Sequence, residues 1–398
     1  MPFIYASMAR QPHALSPTPP PAPFATTAAG PSLAEANGIL TIDLGAIAAN
    51  YKLLNARVMP SECAAVVKGD AYGCGIDQVT TTLMRAGCKT FFVAHLSEAR
   101  RVRALAPEAA VYVLNGFSHA AGQSFQEINA RPVLNSLVEL AEWDHFVQTS
   151  GFTGDAALHV DTGMNRLGLT IEETAAIASH IQTENHRIVL LMSHFACADR
   201  PEHPLNDQQI RQFREIRSLF RGFASSLANS SGIFIDKSAY CDLVRPGIAL
   251  YGGNPMPGKP NPMRPVIDLQ TRILQVRNVG KGESVGYGAA WTARRESRIA
   301  VVAAGYADGV ARAAAITDGV KPREVLIGGK RCPIVGRISM DLMAVDVSDL
   351  PPNAVRRDQM VTLIGEGISL DEVAAQAGTI SYEVLTNLGH RFHRVWKP

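Results

Sequence analysis

Between residues 39 and 244, short runs of apolar and β-branched residues recur at 39–43, 64–68, 91–94, 110–114, 131–134, 156–160, 188–192, 224–228 and 241–244, separated by segments of helical period. Strands that alternate with helices of about 10 to 15 residues pair in parallel, because each crossover returns the chain to the same end of the sheet. The alternation predicts an α/β chain whose strands close into a (β/α)8 TIM-type barrel. Nine runs are one too many, so the first, 39–43, is expected to lie in another sheet. Helix starts are read at Ser97 ahead of Glu98, at Ser136 ahead of Leu137, and at Asn206 with Asp207. After residue 266 the runs become longer and β-rich: Ile267 to Val279, Arg298 to Ala304, Val325 to Val335, Leu342 to Val347 and Met360 to Ile364. A barrel over 38–266 is therefore expected to precede a mainly antiparallel β domain over 267–398.

Eight of the 24 prolines fall in the first 31 positions, in a stretch without hydrophobic periodicity. This predicts a disordered Pro/Ala-rich tail over 1–37, or an over-long start ahead of an initiator at Met8. The first ten residues lack the basic start and unbroken apolar centre of a secretory signal. Lys and Arg number 38 against 36 Asp and Glu, for a formal charge of +2. Without a clustered basic stripe, nucleic acid is not an expected partner. No apolar run approaches the roughly 20 residues of a membrane span. Six cysteines at 63, 74, 88, 197, 241 and 332 form no C-x-x-C pair, which predicts reduced thiols and a cytoplasmic location.

In a barrel of this kind, chemistry belongs at the C-terminal ends of the strands. The first barrel strand ends at Lys68, followed by Gly69-Asp70-Ala71-Tyr72-Gly73; the fifth is followed by Asp161-Thr162-Gly163-Met164-Asn165-Arg166. The sixth ends toward Ser193-His194, the seventh meets Asn229-Ser230-Ser231-Gly232, and the eighth runs into Arg245-Pro246-Gly247. Singly, each has an ordinary structural explanation, such as a lysine reaching solvent or a histidine satisfied in the core. Jointly, a strand-end lysine and Ser/Gly loops that present backbone N–H groups suit a phosphorylated aldehyde held as a Schiff base, as pyridoxal 5′-phosphate is. A metal centre on His194, Asp199 and His203 is the competing reading, but H-x4-D-x3-H matches no familiar ligand spacing. No metal is expected.

Eight segments, in order, resemble the alanine racemases, pyridoxal-phosphate enzymes built from a barrel and a C-terminal β domain. They are Val66 to Gly73, His159 to Gly168, Met192 to Ala196, Leu243 to Gly252, Val285 to Gly288, Gly305 to Gly309, Gly336 to Asp341 and Ile380 to Glu383. The resemblance implies that Lys68 carries the cofactor and that Tyr72, Ser230, Gly247, Ile248 and Tyr382 hold its phosphate, with Asn229 beside them. It sets Arg245 against the pyridine nitrogen and Arg166 and the Met340 backbone at the substrate carboxylate. It makes Tyr287 a second base entering from the other subunit of a homodimer, with a positive His194 between Tyr287 and Arg245. Tyr306, Arg312 and Asp341 match the substrate's access channel.

Three departures stand out. His159 replaces a lysine that many members carbamylate to support the arginine here numbered 166, so support must be direct, through water or through an anion. Gly69-Asp70 replaces an Ala-Asn pair, and Ser339 stands where cysteine is common. The implied reaction is interconversion of L- and D-alanine by two bases, Lys68 and Tyr287, for peptidoglycan precursors or for alanine catabolism. A broad-specificity amino-acid racemase is the nearest alternative, although Tyr306 and Tyr382 should narrow the side-chain pocket. A non-enzymic pyridoxal-phosphate carrier barrel is the alternative from another class; it would need neither the β domain nor Tyr287.

Overall fold

The computed structural model describes residues 30–178, 181, 187–314 and 323–398. After strands β1 (Gly38–Asp43) and β2 (Glu62–Cys63) come seven parallel strands that neighbour one another in chain order. They are β3 (Ala65–Val66), β4 (Thr90–Val93), β5 (Ala110–Val113), β6 (Arg131–Leu134), β7 (Ala156–His159), β8 (Ile188–Met192) and β9 (Ala224–Ser226). The eighth position belongs to β10 (Leu243–Val244), which pairs in parallel with β2. On its other side Asp242 N–H donates to Ser225 O at 3.0 Å and Arg245 N–H to Ala228 O at 2.9 Å, so the ring closes. Helices cover the outside and side chains fill the inside, so both strand faces are apolar: Phe91, Phe92, Val93, Ala157 and Leu158 are all fully buried.

Two of the three helix starts move. Ser136 caps Leu137–Ser150 as expected, accepting from Glu139 N. Ser97 lies inside Leu96–Leu105, whose cap is His95; the Glu98 carboxylate receives the His95 N–H at 3.2 Å and fixes that boundary. Asn206 likewise lies inside Pro204–Leu219, where His203 Nδ1 accepts from Leu205 N and Pro204 occupies the first turn. The Asn206 amide instead donates to the carbonyls of Cys197 and Arg200.

Strand β1 lies outside the barrel. It runs antiparallel to β11 (Ile267–Val279) and parallel to β19 (His393–Lys397), joining the N-terminal segment to the last strand of the chain. A short ribbon, β12 (Ser284–Val285) with β13 (Trp291–Thr292), follows β11. The main sheet adds β14 (Ser297–Val302), β15 (Glu324–Ile327), β16 (Lys330–Val335), β17 (Met343–Asp346) and β18 (Met360–Ile364) in the order β14-β17-β16-β15-β18-β11-β1-β19. A second pairing of β14 with β11 closes six of these strands on themselves. The run 325–335 is a hairpin because Gly328 and Gly329 turn it with φ of 58° and 76°. Residues 30–37, assigned to the tail from composition, pack on this domain: Ala36 is buried, Asn37 O accepts from Arg272 N at 2.9 Å, and Pro31 O meets His393 Nδ1 at 3.0 Å. Residues 1–29 of the tail reading lie outside the described residues. Among those described, no helix is long and apolar enough to cross a membrane.

Candidate active site

The C-terminal ends of the barrel strands open into a cavity of about 750 Å³, which the helix Ser381–Thr386 of the β domain borders through Tyr382 and Thr386. Ten of the fifteen site residues expected from sequence line it: Lys68, Tyr72, Arg166, His194, Asn229, Ser230, Arg245, Gly247, Ile248 and Tyr382; His159 and Gly69 line it as well. Five others do not. Tyr287, Met340 and Tyr306 are 71%, 54% and 43% exposed on the β domain, Asp341 pairs with Arg391 Nη1 at 2.8 Å, and Arg312 lines a second, smaller cavity.

Lys68 opens a left-handed turn. Gly69, Asp70, Ala71, Tyr72 and Gly73 all have positive φ, between 52° and 77°. Three of these are not glycine, at a cost of roughly 1–2 kcal/mol each, so the turn exists only because its surroundings fix it. Glu98 accepts from Gly69 N at 2.6 Å; Asp70 accepts from Ile76 N at 3.1 Å and from Arg101 Nη1 at 2.9 Å. The last strand reaches across from the β domain: Arg394 Nη1 donates to Gly73 O at 2.5 Å and Trp396 Nε1 to Cys74 O at 2.8 Å. The last strand of the chain thus braces the lysine turn, and neither Arg101 nor Arg394 was legible as a support from sequence.

The Lys68 amine remains accessible through the cavity mouth, yet surrounding protein desolvates it and the Arg166 charge repels its proton. Together these lower its pKa against the opposing pull of Glu98. That carboxylate also receives Ala94 N–H at 2.8 Å, so it is committed to the backbone. Across the cavity the Tyr72 ring stacks on Tyr251 at 4.6 Å, and Tyr251 OH donates to Val66 O at 2.9 Å. Burial raises the pKa of Tyr72 and pushes that of Tyr382 up to about 12, so both hydroxyls stay protonated donors. Ser230 Oγ accepts from Gly247 N at 2.9 Å, and a Cβ at Gly247 would overlap the Tyr72 hydroxyl. A glycine is what lets the two loops meet there.

Arg245 is 4% exposed and, among the described residues, bonded only to neutral acceptors: Ser226 Oγ, Ser193 O at 2.5 Å and Leu227 O at 3.4 Å, with His194 Nδ1 at 3.4 Å. Burial lowers its pKa to about 10, so it is still a cation at neutral pH. His194 differs from the positive group expected: burial, then Arg245 and Arg166, hold its pKa far below the usual imidazole value, so it is neutral. His159 Nδ1 meets Asn135 Oδ1 at 2.8 Å, and burial with the Arg245 charge lowers its pKa to about 4. Its hydrogen-bond partner is thus Asn135. His203, offered for a metal, caps a helix.

Ala94, His95, Asn115 and Asn135 also line the cavity, just beyond strands β4, β5 and β6. The strand-end rule finds them when it is applied to all eight strands instead of the five with conspicuous motifs.

The His159 environment has a consequence for stability. As pH falls below about 6.5, the unfolded chain takes up this proton and the folded one does not until about pH 4. Stability should therefore fall through that window by an amount on the order of 3 kcal/mol, with His194 acting in the same direction. Urea midpoints measured from pH 7 to 4 should show the decline, and His159→Gln should flatten it; an unchanged slope would refute the assignment.

Two family models match the chain in succession: "Alanine racemase, N-terminal domain" over residues 42–255 and "Alanine racemase, C-terminal domain" over 266–396. An alanine racemase of Methylobacterium nodulans is 52% identical over 355 residues, 89% of this chain and 95% of the relative. One of Rhodospirillum rubrum is 45% identical over 363 residues, 90% and 96% of the two chains. A crystal structure of the Bartonella henselae alanine racemase with covalently bound pyridoxal phosphate superposes with a TM-score of 0.86 at 38% identity, covering 91% of this chain and all of that one. With both domains matched and the strand-end lysine, buried arginine and Ser/Gly loops facing one cavity, the chain belongs to the alanine racemase family.

Proposed function

We propose that this protein interconverts L- and D-alanine with pyridoxal 5′-phosphate attached at Lys68, as a cytoplasmic homodimer, for peptidoglycan precursors or alanine catabolism. The observation that carries the reading is the pairing of the Lys68 amine with the buried, carboxylate-free Arg245 in one cavity. The donor set fits the cofactor: among the described residues two arginines, a lysine, two protonated tyrosines and a serine surround the space, and the one lining carboxylate, Glu98, is occupied by backbone N–H groups. Ser230, Gly247, Ile248, Tyr72 and Tyr382 would hold the phosphate, and Asn229 would flank it. Lys68 would hold the aldehyde carbon, and Arg245 would face the ring nitrogen. When bound, the cofactor supplies an electron sink that acidifies the Cα–H of an attached amino acid.

Arg245 limits that sink. A guanidinium that remains charged donates a hydrogen bond to the ring nitrogen without readily surrendering its proton, which disfavours proton delivery away from Cα. Arg166 binds the substrate carboxylate, joined by the Met340 backbone of the second copy. Lys68, its pKa already lowered, takes or returns the Cα proton on one face. Tyr287 does so on the other. Because Tyr287 is 71% exposed and outside the cavity in its own chain, the reading requires a partner to bring it in. Tyr306 and Asp341, exposed on the same domain, would line the approach. Neutral His194 positions Arg245 as a hydrogen-bond acceptor.

The test is formation of D-alanine from L-alanine by purified protein, followed by polarimetry with and without added pyridoxal 5′-phosphate. Cofactor-dependent loss of optical rotation is expected. A folded, cofactor-loaded protein that leaves L-alanine unchanged would contradict the reading, and equal rates on bulky amino acids would favour a broad-specificity racemase.

A further inference from the structure

A second cavity, of about 300 Å³, lies behind the helix that carries Tyr382. Tyr382 and Thr386 of that helix face the large cavity, while Glu383, Val384 and Asn387 face the small one. Aliphatic side chains, Leu269, Ile364 and Val373 among them, form part of its wall, beside polar ones such as Thr379 and Asn387. Among the described residues, two arginines line it, Arg312 and Arg323. Arg323 is 4% exposed, its Nε has no hydrogen-bond partner, and among the described residues no ion pair reaches its guanidinium. Burial alone lowers its pKa to about 10, which leaves it charged at neutral pH. A guanidinium buried without an acceptor is a strongly unfavourable arrangement, and an anion bound in the adjoining space relieves it.

We infer that this cavity is a binding site for a small aliphatic carboxylate, held at its charged end by Arg323. The planar guanidinium matches a carboxylate in a two-point pairing. The aliphatic part of the wall suits a hydrocarbon remainder, which inorganic phosphate lacks. Glu383, whose carboxylate accepts from Thr379 Oγ1, is the acidic lining residue among those described and disfavours a dianion. Arg312, which also lines the cavity, adds a second positive charge. Among the described residues, the site shares no lining residue with the cavity of the same chain that holds Lys68 and Arg166.

The test is calorimetric titration of the holoenzyme with butyrate while alanine is kept saturating, so that the Arg166 cavity is filled. One butyrate per chain is expected, with binding weakened at least tenfold in Arg323→Met. In buffer poor in anions, Arg323→Met should melt above wild type, since it removes an unmatched buried charge, and butyrate should raise the melting temperature of wild type only. Ala377→Leu, which fills the cavity and leaves both arginines in place, should also abolish binding and decides the matter if Arg323→Met does not fold. Butyrate binding unaffected by either variant, tighter binding of inorganic phosphate than of butyrate, or no binding to folded wild type would each overturn the inference.

Discussion

Lys68→Ala should lose covalently attached cofactor and about four orders of magnitude or more of racemase activity. The size follows from the two duties assigned to one amine: it anchors the cofactor's aldehyde carbon and it exchanges the Cα proton on one face, and general acid–base catalysis alone contributes roughly 10²–10⁴-fold. The lowered pKa of this lysine favours the neutral amine more than an ordinary surface lysine, with a pKa of about 10.4, would. Borohydride reduction of the holoenzyme followed by peptide mapping should place the modification on the peptide containing Lys68. Labelling of any other lysine would remove the assignment, whatever the activity of the variant.

The second large effect is an asymmetry. If Tyr287 serves the face from which the L enantiomer loses its proton, and Lys68 the D face, Tyr287→Phe should depress solvent-deuterium exchange at Cα far more for L-alanine than for D-alanine. A difference of about a hundredfold or more is expected, since one general acid–base group is removed from one face only. Proton NMR of each enantiomer in D₂O with the variant measures both rates directly. Equal losses from the two enantiomers would exclude a separate base on each face.

The barrel was legible because parallel strands buried on both faces read as unbroken apolar runs, as in Thr90–Val93 and Ile188–Met192. The closing strand, Leu243–Val244, is only two residues long, and what completes the ring is hydrogen bonding by the flanking Asp242 and Arg245, which no local pattern announces. Lys68, Arg245 and the Ser230 and Gly247 loops were legible because strand ends locate them. The left-handed turn after Lys68 was not, because its supports, Arg101, Arg394 and Trp396, come from a neighbouring helix and from the far end of the chain. The pairing of His159 with Asn135 was equally hidden, since it joins adjacent strands across 24 residues. The charge of His194 was not legible either: burial and repulsion by Arg245 and Arg166 favour its neutral form, and both depend on the closed cavity.

On the proposed function each chain supplies Lys68 and the cofactor cavity while its partner supplies Tyr287, which in its own chain lies on the surface of the β domain. A closed two-fold pair of this kind has two equivalent composite sites. The measurement that bears on it most directly mixes inactive Lys68→Ala protein with inactive Tyr287→Phe protein under conditions in which subunits exchange. A mixed dimer then has one site with both bases and one with neither, so activity should return to roughly a quarter of wild type at equal mixing. Demonstrated exchange without recovered activity would mean that Tyr287 serves its own chain, and the shared-site account would be wrong.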